Sequence, residues 1–342
     1  MKAALFYAPQ DVRIEEIPVP EPGPGEVRVR IKRALTCGTD VKTYYRGHPK
    51  LLKNIPSPFG HEFAGVIDAV GPGVMGWAKG DRVVAVNSAP CQNCYYCKVG
   101  DYSMCEHLEF LNGAFADYIV VPARIVQQNL YHIPEHLSYE EAAILEPLAC
   151  AVHGVEKSDI QLGDTVAIIG AGPIGLMFLQ LVRLKGGRVI IVDKSKYRLE
   201  IARMLGAAET LIATNPDDVV RSVRELTPES RGADVVIEAV GLPSVWEQAL
   251  QMVRKGGTVN LFGGTREGTS INIDTILLHY SQLTIKGVFH HTPKHVQTAF
   301  SLISDRRFRV DPFLSGEYPL ERVVEALKLH GQQEGIKFTI VP

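Results

Sequence analysis

The sequence predicts an α/β protein of two domains, one built on a doubly wound parallel sheet and one rich in β-strands. Three observations lead to this prediction. A chain of 342 residues is long enough for two domains of roughly 100–200 residues each. Short β runs separated by proline and glycine turns fill the first part of the chain, up to about residue 147. Beyond about residue 160, β runs alternate with helical segments.

The N-terminal part has the pattern of a small all-β or partly open barrel domain. Turn clusters such as Pro22-Gly23-Pro24-Gly25 interrupt its apolar runs. The predicted strands cover residues 12–17, 26–35, 63–70, 82–86 and 116–121.

The second part predicts parallel strands joined by helical crossovers, which is the pattern of a doubly wound sheet. Its predicted strands cover residues 166–170, 188–192, 210–213, 234–238, 258–262 and 284–288. Helices are predicted at 174–185, 197–205 and 245–254, closed by glycines at 186, 206 and 256. A helix near 320–329 and a last strand at 337–341 are compatible with either domain.

Composition and charge exclude several classes of protein. Lys and Arg number 36 against 38 Asp and Glu, and a net charge of −2 argues against a nucleic-acid partner. Hydrophobic residues at 46% and charged residues at 22% are typical of globular proteins, not of disorder or coiled coils. The uncharged run 165–182 contains Gly170 and Pro173, so it predicts a buried strand, turn and helix rather than a membrane span. With no secretion signal at the start, we expect a cytoplasmic protein without a membrane partner.

A glycine-rich turn predicts a dinucleotide site. The run Gly170-Ala171-Gly172-Pro173-Ile174-Gly175 follows a β run and opens a helix, where backbone can approach a pyrophosphate. Asp193 ends the next predicted strand, and a carboxylate there accepts hydrogen bonds from ribose hydroxyls and repels a 2′-phosphate. The sequence therefore favours NAD. Lys194, Lys196 and Arg198 follow and keep NADP as the alternative.

Four cysteines predict a structural metal lobe. Cys91, Cys94, Cys97 and Cys105 lie within 15 residues, with the close spacing of a tetrahedral zinc site. Four thiolates leave no open coordination position, so such a zinc ion stabilises the fold instead of reacting. An iron–sulfur cluster is the lesser alternative.

A second set of metal donors is dispersed along the sequence, and here the chain resembles a known family. Gly60-His61-Glu62, with glycines at 65 and 71, is similar to the signature of the zinc-dependent medium-chain alcohol dehydrogenases. The Cys37-Gly38-Thr39-Asp40 run, the four-cysteine lobe, the glycine-rich turn and Asp193 follow in the family's order. The resemblance implies a GroES-like catalytic domain of residues 1–150 and 293–342. It implies a Rossmann NAD-binding domain of residues 151–292, in a homodimer or homotetramer.

The resemblance also implies roles for individual residues. Cys37, His61 and Glu146 would hold a catalytic zinc ion, with Glu62 as an alternating or water-bridged ligand and Cys150 as a lesser alternative to Glu146. Thr39 would take the substrate hydroxyl proton, and Asp40 would orient His61. Lys42 stands where relatives often have a relay histidine. Further contacts to the dinucleotide are expected from Arg198, Val240, Phe262, Gly263, Gly264, Val288 and Phe289.

Two short runs select a branch of that family. Glu146-Pro147-Leu148 and Lys286-Gly287-Val288-Phe289 resemble the polyol (sorbitol-type) and threonine dehydrogenases. Tyr44, His290 and His291 are the expected substrate contacts, the two histidines standing in for an Arg-Tyr pair. The leading hypothesis is an enzyme that oxidises a secondary hydroxyl of a small-molecule polyol to a ketone. An L-threonine 3-dehydrogenase and a non-catalytic NAD-binding redox sensor are the alternatives.

Overall fold

The computed structural model describes residues 1–48, 51–52 and 54–342. These divide into two compact units: unit 1 comprises Met1–Ala149 and His291–Pro342, and unit 2 comprises Cys150–His290. Among the described residues, no helix has the length and apolar character needed to cross a bilayer.

The first segment of unit 1 is mainly β-structure. Its elements are β1 (Lys2–Ala8), β2 (Asp11–Glu16), β3 (Val27–Leu35), α1 (Gly38–Arg46), β4 (Ser57–Pro58), β5 (Glu62–Val70), β6 (Arg82–Ala85), β7 (Ser88–Ala89), α2 (Tyr95–Lys98), β8 (Glu109–Phe110), β9 (Tyr118–Val121), α3 (Ala123–Asn129), β10 (Leu130–His132), α4 (Tyr139–Ala143) and the start of α5 (Leu145–Lys157).

Unit 2 alternates strands and helices after α5. Its elements are β11 (Thr165–Ile169), α6 (Pro173–Leu184), β12 (Arg188–Asp193), α7 (Lys196–Met204), β13 (Glu209–Ile212), α8 (Pro216–Glu225), β14 (Ala233–Glu238), α9 (Pro243–Met252), β15 (Val253–Leu261), α10 (Thr275–Tyr280) and β16 (Thr284–Gly287). The chain then returns to unit 1 through α11 (Pro293–Ser304), β17 (Leu314–Pro319), α12 (Val323–Gly331) and β18 (Lys337–Val341).

Strand β3 organises the sheet of unit 1. It pairs antiparallel with β5, β9 and β18. Its alternating residues Val27, Val29 and Ile31 are buried in an apolar core shared with Phe63 and Ile67 from β5, as expected for a half-buried strand. The last strand, β18, pairs Thr339 with Leu35. The C-terminal strand therefore lies beside the end of β3, immediately before the predicted zinc ligand at position 37.

Unit 2 contains one parallel sheet of six strands in the order β13-β12-β11-β14-β15-β16. The strand order reverses between β11 and β14, and in such sheets ligands bind at that point, outside the carboxyl ends of the strands. Apolar residues fill β11 and β12 because both faces of a parallel sheet are covered by helices. The predicted fold class is confirmed.

One predicted boundary is wrong. Helix α9 ends at Met252, and the chain passes directly into β15, so Gly256 does not close the helix. The pairing of β14 with β15 shifts register between Ala233 and Val235. Gly256 has a φ of 71°, and a Cβ at Gly257 would lie 2.7 Å from Asp234 O. The glycines therefore permit an irregularity in the strand, a use that a helix-end interpretation does not distinguish.

Candidate active site

Cys37 is fixed at the N-terminus of α1 by a reciprocal capping arrangement. Its sulfur accepts the Thr39 N–H at 3.5 Å, and Asp40 Oδ2 accepts the Cys37 N–H at 3.0 Å. A capping box of this kind satisfies two N–H groups that a helix start leaves without intrahelical partners. The Cys-Gly-Thr-Asp run thereby sets the direction of the thiol before any metal binds.

Asp40 also orients His61. Its second oxygen, Oδ1, lies 2.8 Å from His61 Nδ1, and both side chains are buried. This contact occupies Nδ1 and leaves Nε2 available to a metal, and the ligand atom of His61 lies within 4.8 Å of Cys37 Sγ. One carboxylate therefore positions both a thiol and an imidazole, which is how metal-ligating histidines are commonly held.

The structure brings Cys37, His61 and Glu62 together. Each offers one donor atom, and the three atoms lie within 4.8 Å of one another. Ligands of a tetrahedral zinc ion at 2.0–2.3 Å are separated by roughly 3.3–3.8 Å, so modest closure around an ion suffices. A thiol, an imidazole and a carboxylate are the donors that zinc prefers, and the cluster fits this metal.

Lys337 completes the cluster from the C-terminal strand. Its Nζ lies 2.9 Å from Glu62 Oε1 and 2.7 Å from Oε2, with both side chains fully buried. Backbone bonds between β18 and residue 36 place it there, since Thr36 N donates to Phe338 O at 3.0 Å. Glu62 therefore has a lysine partner as well as a position among the zinc donors.

Glu146 lies near this cluster, in the first turn of α5, and only 6% of it is exposed. Its charge raises the pKa of Glu62, and its Oε1 lies 3.9 Å from His291 Nε2. His291 Nε2 also lies 3.3 Å from Asn87 Oδ1. The buried His291, expected to contact substrate, thus lies beside the carboxylate of a predicted zinc ligand.

The electrostatics of the cluster favour a cation. Burial raises the pKa of the Cys37 thiol, and the neighbouring Glu62 adds to this effect. Burial also raises the pKa of Glu62 to about 7, although Lys337 and His61 act in the opposite direction. Burial lowers the pKa of His61, but Asp40 outweighs it and raises that pKa well above its usual range. A divalent ion would supply the positive charge that these buried donors require when deprotonated.

The remaining predicted residues of unit 1 lie in different surroundings. Thr39 is half-buried in the first turn of α1, two residues from Cys37, whereas Lys42 on the same helix is exposed. Tyr44 is buried in the apolar core of unit 1 and packs edge-on against Tyr45, with ring centroids 5.0 Å apart. Its ring therefore belongs to the core of unit 1, and its contact with substrate stays a prediction.

His290 and Cys150 belong to unit 2. His290 has a φ of 60°, and its carbonyl oxygen lies 2.8 Å from His153 Nδ1. Cys150 lies on α5, one helical turn after Glu146.

The four predicted lobe cysteines meet in a second cluster, with their sulfur atoms within 4.8 Å of one another. Backbone N–H groups of Asn93 and Cys94 each lie 3.4 Å from Cys91 Sγ, and they lower the pKa of Cys91 to about 6. Burial instead raises the pKa of Cys97 to about 12. Four convergent sulfurs that receive backbone N–H groups fit a closed zinc site of the predicted structural kind.

The glycine-rich turn of unit 2 joins β11 to α6 as predicted from the sequence. Gly170 has a φ of 102°, in the left-handed region that favours glycine. A Cβ at Gly175 would lie 1.8 Å from Gly170 O, so this position also requires glycine. Gly172 caps α6, and Pro173 is its first residue, where its lack of an N–H has no consequence.

Asp193 ends β12 beside this turn. Its Oδ2 accepts the Ala171 N–H at 2.6 Å, and its Oδ1 accepts the Ser195 N–H at 2.8 Å. Arg198 is buried nearby, and its Nη1 would lie 3.6 Å from a Cβ at Gly172. Burial lowers the pKa of Arg198 and Asp193 raises it, with a net lowering. The carboxylate thus holds the turn and retains lone pairs for a ligand.

The other predicted dinucleotide contacts follow the carboxyl ends of the next three strands. Val240 follows β14, Phe262, Gly263 and Gly264 follow β15, and Val288 and Phe289 follow β16. Phe262 packs edge-on against Phe178, with centroids 4.9 Å apart, whereas Phe289 is 47% exposed. All of them lie at the same edge of the sheet as Gly170 and Asp193, because its strands are parallel.

Sequence reasoning missed two residues of these sites. Lys337 and Asn87 belong to no motif, and their partners lie 275 and 204 positions away in the chain. The signal for Lys337 was a lysine at the start of a strand without other charged residues, Lys337–Val341, where a buried position requires a counter-charge.

Comparisons with known proteins give matches along the whole chain. Residues 23–135 match the alcohol dehydrogenase GroES-like domain, and residues 173–305 match the zinc-binding dehydrogenase domain. The sorbitol dehydrogenase of Bacillus subtilis (strain 168) is 32% identical, over 100% of this chain and 97% of that protein. The L-threonine 3-dehydrogenase of the same organism is also 32% identical, over 96% of this chain and 94% of that protein. The alcohol dehydrogenase TADH from Thermus sp. ATN1 has a similar structure, with a TM-score of 0.89, 31% identity, and coverage of 100% of this chain and 99% of that one.

Proposed function

This chain belongs to the zinc-dependent medium-chain alcohol dehydrogenase family, and on that premise we propose that it oxidises a secondary hydroxyl of a polyol to a ketone. The observation that carries the proposal is the group formed by the half-buried Cys37 and the buried His61 and Glu62, whose donor atoms lie within 4.8 Å of one another. Glu146 is the fourth residue that we assign to this metal. When bound, zinc lowers the pKa of a hydroxyl that it coordinates, and the dinucleotide accepts a hydride.

The residues around the donors have separate tasks in this proposal. Asp40 keeps His61 Nε2 directed toward the metal by binding Nδ1. Lys337 stabilises the Glu62 carboxylate, so that Glu62 can leave or approach the metal without becoming an isolated buried charge. Thr39, half-buried and two residues from Cys37, accepts the proton of the substrate hydroxyl while its own hydroxyl proton passes toward solvent.

The cofactor proposed for unit 2 is NAD. The glycine-rich turn and the N-terminus of α6 would receive the pyrophosphate, and Asp193 would accept hydrogen bonds from the adenosine ribose. Its negative charge disfavours a 2′-phosphate. Arg198, buried beside the same turn, supports NADP as the alternative.

A polyol is the proposed substrate class, and L-threonine is the alternative. The match to a sorbitol dehydrogenase over the whole chain supports the first, and the similar match to an L-threonine 3-dehydrogenase supports the second. Both substrates carry a secondary hydroxyl, so the proposed chemistry is the same. The groups that contact the rest of the substrate distinguish them.

The test is NADH formation by the purified protein with NAD and a panel of polyols, inositols, sugar phosphates, simple alcohols and L-threonine. Each assay is repeated after chelation and again after zinc is restored. We expect a chelator-sensitive rate that is confined to polyols. A rate with L-threonine alone would select the alternative, and a rate insensitive to chelation in zinc-free protein would contradict the zinc chemistry. Bound zinc and bound NADH without turnover on any member would contradict a polyol dehydrogenase and favour a redox sensor.

A further inference from the structure

A buried carboxylate lies at the dinucleotide edge of unit 2, and no motif predicted it. Glu238 is the last residue of β14, and none of it is exposed. Its Oε1 accepts the Val240 N–H at 2.7 Å and the Gly241 N–H at 2.8 Å. The side chain therefore turns toward the loop that follows its strand and fixes that loop, residues 239–241, which we call the β14 loop.

The same residue also binds the next loop. The Glu238 carbonyl accepts the Phe262 N–H at 3.0 Å and the Gly263 N–H at 2.9 Å. Burial raises the pKa of the Glu238 carboxyl group, although the N–H groups of Gly241, Val240, Trp246 and Gly263 act in the opposite direction. Trp246 Nε1 in turn donates to Gly263 O at 3.2 Å. Glu238 thus connects the β14 loop to residues 262–264, which we call the β15 loop.

The two loops are packed too closely for larger residues. A Cβ at Gly263 would lie 2.6 Å from Glu238 Oε2 and 2.4 Å from Gly241 N. Gly241 has a φ of 82°, and a Cβ there would lie 2.5 Å from Gly264 O. A buried carboxylate is costly unless donors face it; here two N–H groups of the β14 loop bind Oε1, while Oε2 lies against the β15 loop without a hydrogen-bond partner among the described residues. Glu238 therefore connects the two loops through buried contacts, unlike the exposed contacts of a surface ion pair.

Glu238 and the β14 loop lie where the strand order of the sheet reverses. A Cβ at Gly170 would lie 3.0 Å from Val240 Cγ2 and 3.4 Å from Ala239 O, so the β14 loop abuts the glycine-rich turn. Dinucleotide sheets of this kind consist of two mononucleotide halves. The glycine-rich turn and Asp193 belong to the half formed by β11–β13. The β14 loop and the β15 loop belong to the half formed by β14–β16.

We propose that Glu238 is a positioning residue for the cofactor: it fixes the β14 and β15 loops in the shape that receives the nicotinamide half of the dinucleotide. This inference rests on the proposed function and deepens it. Glu238 does not itself contact the cofactor in this account. Its replacement therefore weakens binding of the whole dinucleotide but spares ligands that occupy only the adenosine half.

The test compares NADH and ADP binding by calorimetry in Glu238→Gln and in the zinc-loaded wild-type protein. The glutamine has nearly the same shape but removes the negative charge that the Val240 and Gly241 N–H groups bind. We expect the Kd for NADH to rise about tenfold or more, as the weakening of two buried hydrogen bonds to a charged group implies, and the Kd for ADP to change less than about twofold. The matched control is Asp234→Asn, on the same strand but at its amino end, where Asp234 binds Thr165 N and Arg254 Nε. It should leave both dissociation constants unchanged.

Equal losses for NADH and ADP, or no loss for either, would overturn the role of Glu238. If Glu238→Gln does not fold, Trp246→Phe removes only the indole N–H that donates to Gly263 O in the β15 loop, and the same selective loss is expected at smaller amplitude. Unaltered NADH binding in a folded Trp246→Phe protein would then count against the proposal. A wild-type protein that binds neither NADH nor NADPH would instead contradict the proposed function, so the two failures are distinguishable.

Discussion

Lys337 Nζ contacts both carboxylate oxygens of Glu62, at 2.9 and 2.7 Å, in a pair that is almost completely buried. The lysine comes from the C-terminal strand, and the glutamate follows directly after His61. Buried ion pairs contribute little net stability, but a member that loses its partner is strongly destabilising. Lys337 therefore makes it possible to keep a third carboxylate, beside Asp40 and Glu146, next to a thiol and an imidazole.

Replacing Lys337 with methionine should destabilise the zinc-free protein by about 3–5 kcal/mol, because Glu62 loses its buried counter-charge. Bound zinc should recover most of this loss, since the metal supplies the missing positive charge. The measurement is urea unfolding of chelated and zinc-loaded protein. The matched control is Lys286→Met, whose partner Asp159 is largely exposed, and its effect should stay within about 1 kcal/mol under both conditions. Equal losses in the two variants would contradict the role given to Lys337.

The ion pair between Arg33 and Glu140 should make unit 1 sensitive to acid. Burial raises the pKa of Glu140, but its N-terminal helix position, Ser138 and Arg33 outweigh burial and lower that pKa below its usual 4.5. A carboxyl group with a lowered pKa stabilises the folded state above pH 4.5, and the contribution disappears as pH falls through the folded pKa.

The measurement is the free energy of unfolding of zinc-loaded protein as a function of pH. Glu140→Gln should reduce stability at neutral pH and flatten the decline below pH 4.5. The control Glu325→Gln removes a carboxylate whose partner Arg322 is exposed, so its profile should follow that of the wild type. A Glu140→Gln profile parallel to that of the wild type would show that this pair does not carry the acid sensitivity.

Asp193 should control the choice between NAD and NADP. Asp193→Asn removes the charge that repels a 2′-phosphate but keeps an oxygen for the N–H of Ala171 or Ser195. The ratio of kcat/KM for NADP to that for NAD should rise about tenfold or more. The control is Asp217→Asn, in the exposed first turn of α8. An unchanged ratio in Asp193→Asn would rule out the ribose role of this carboxylate.

The four-cysteine lobe should contribute to folding and not to chemistry. Cys94→Ser should remove one of the two zinc ions per chain and lower the Tm by about 5 °C or more. The kcat of the fraction that remains folded should stay close to that of the wild type. Zinc analysis, calorimetry and active-site titration measure the three quantities. A folded, zinc-depleted variant with an unchanged Tm would overturn the structural assignment.

The fold was predictable because its signals are local. Alternating apolar residues in β3 and continuous apolar residues in β11 and β12 indicate the two kinds of sheet. Glycines with a fixed function, such as Gly170 and Gly175, mark the turn between β11 and α6. Gly256 shows the limit of the same reasoning, because a glycine after a helical segment also permits an irregular strand.

The sites were predictable only in part, for a physical reason. Cys37, His61 and the four lobe cysteines carry chemistry that ordinary surfaces rarely use, so their residue types and spacing indicate a metal. Lys337 and Glu238 are common residue types whose importance comes from burial beside a distant partner or a loop. Tyr44 shows the converse, because an aromatic residue near a motif is equally suited to the core, where the structure places it.

In the proposed function, His61 belongs to the zinc site that activates the substrate hydroxyl, and the variant that tests this role is His61→Ala. Metal content, NADH affinity and kcat are measured on the same preparation, with the exposed His279→Ala as the control. We predict one zinc ion per chain instead of two, NADH binding within about twofold of the wild type, and a kcat reduced about a thousandfold or more, since metal activation contributes several kcal/mol. Two retained zinc ions with near-normal turnover would contradict the account.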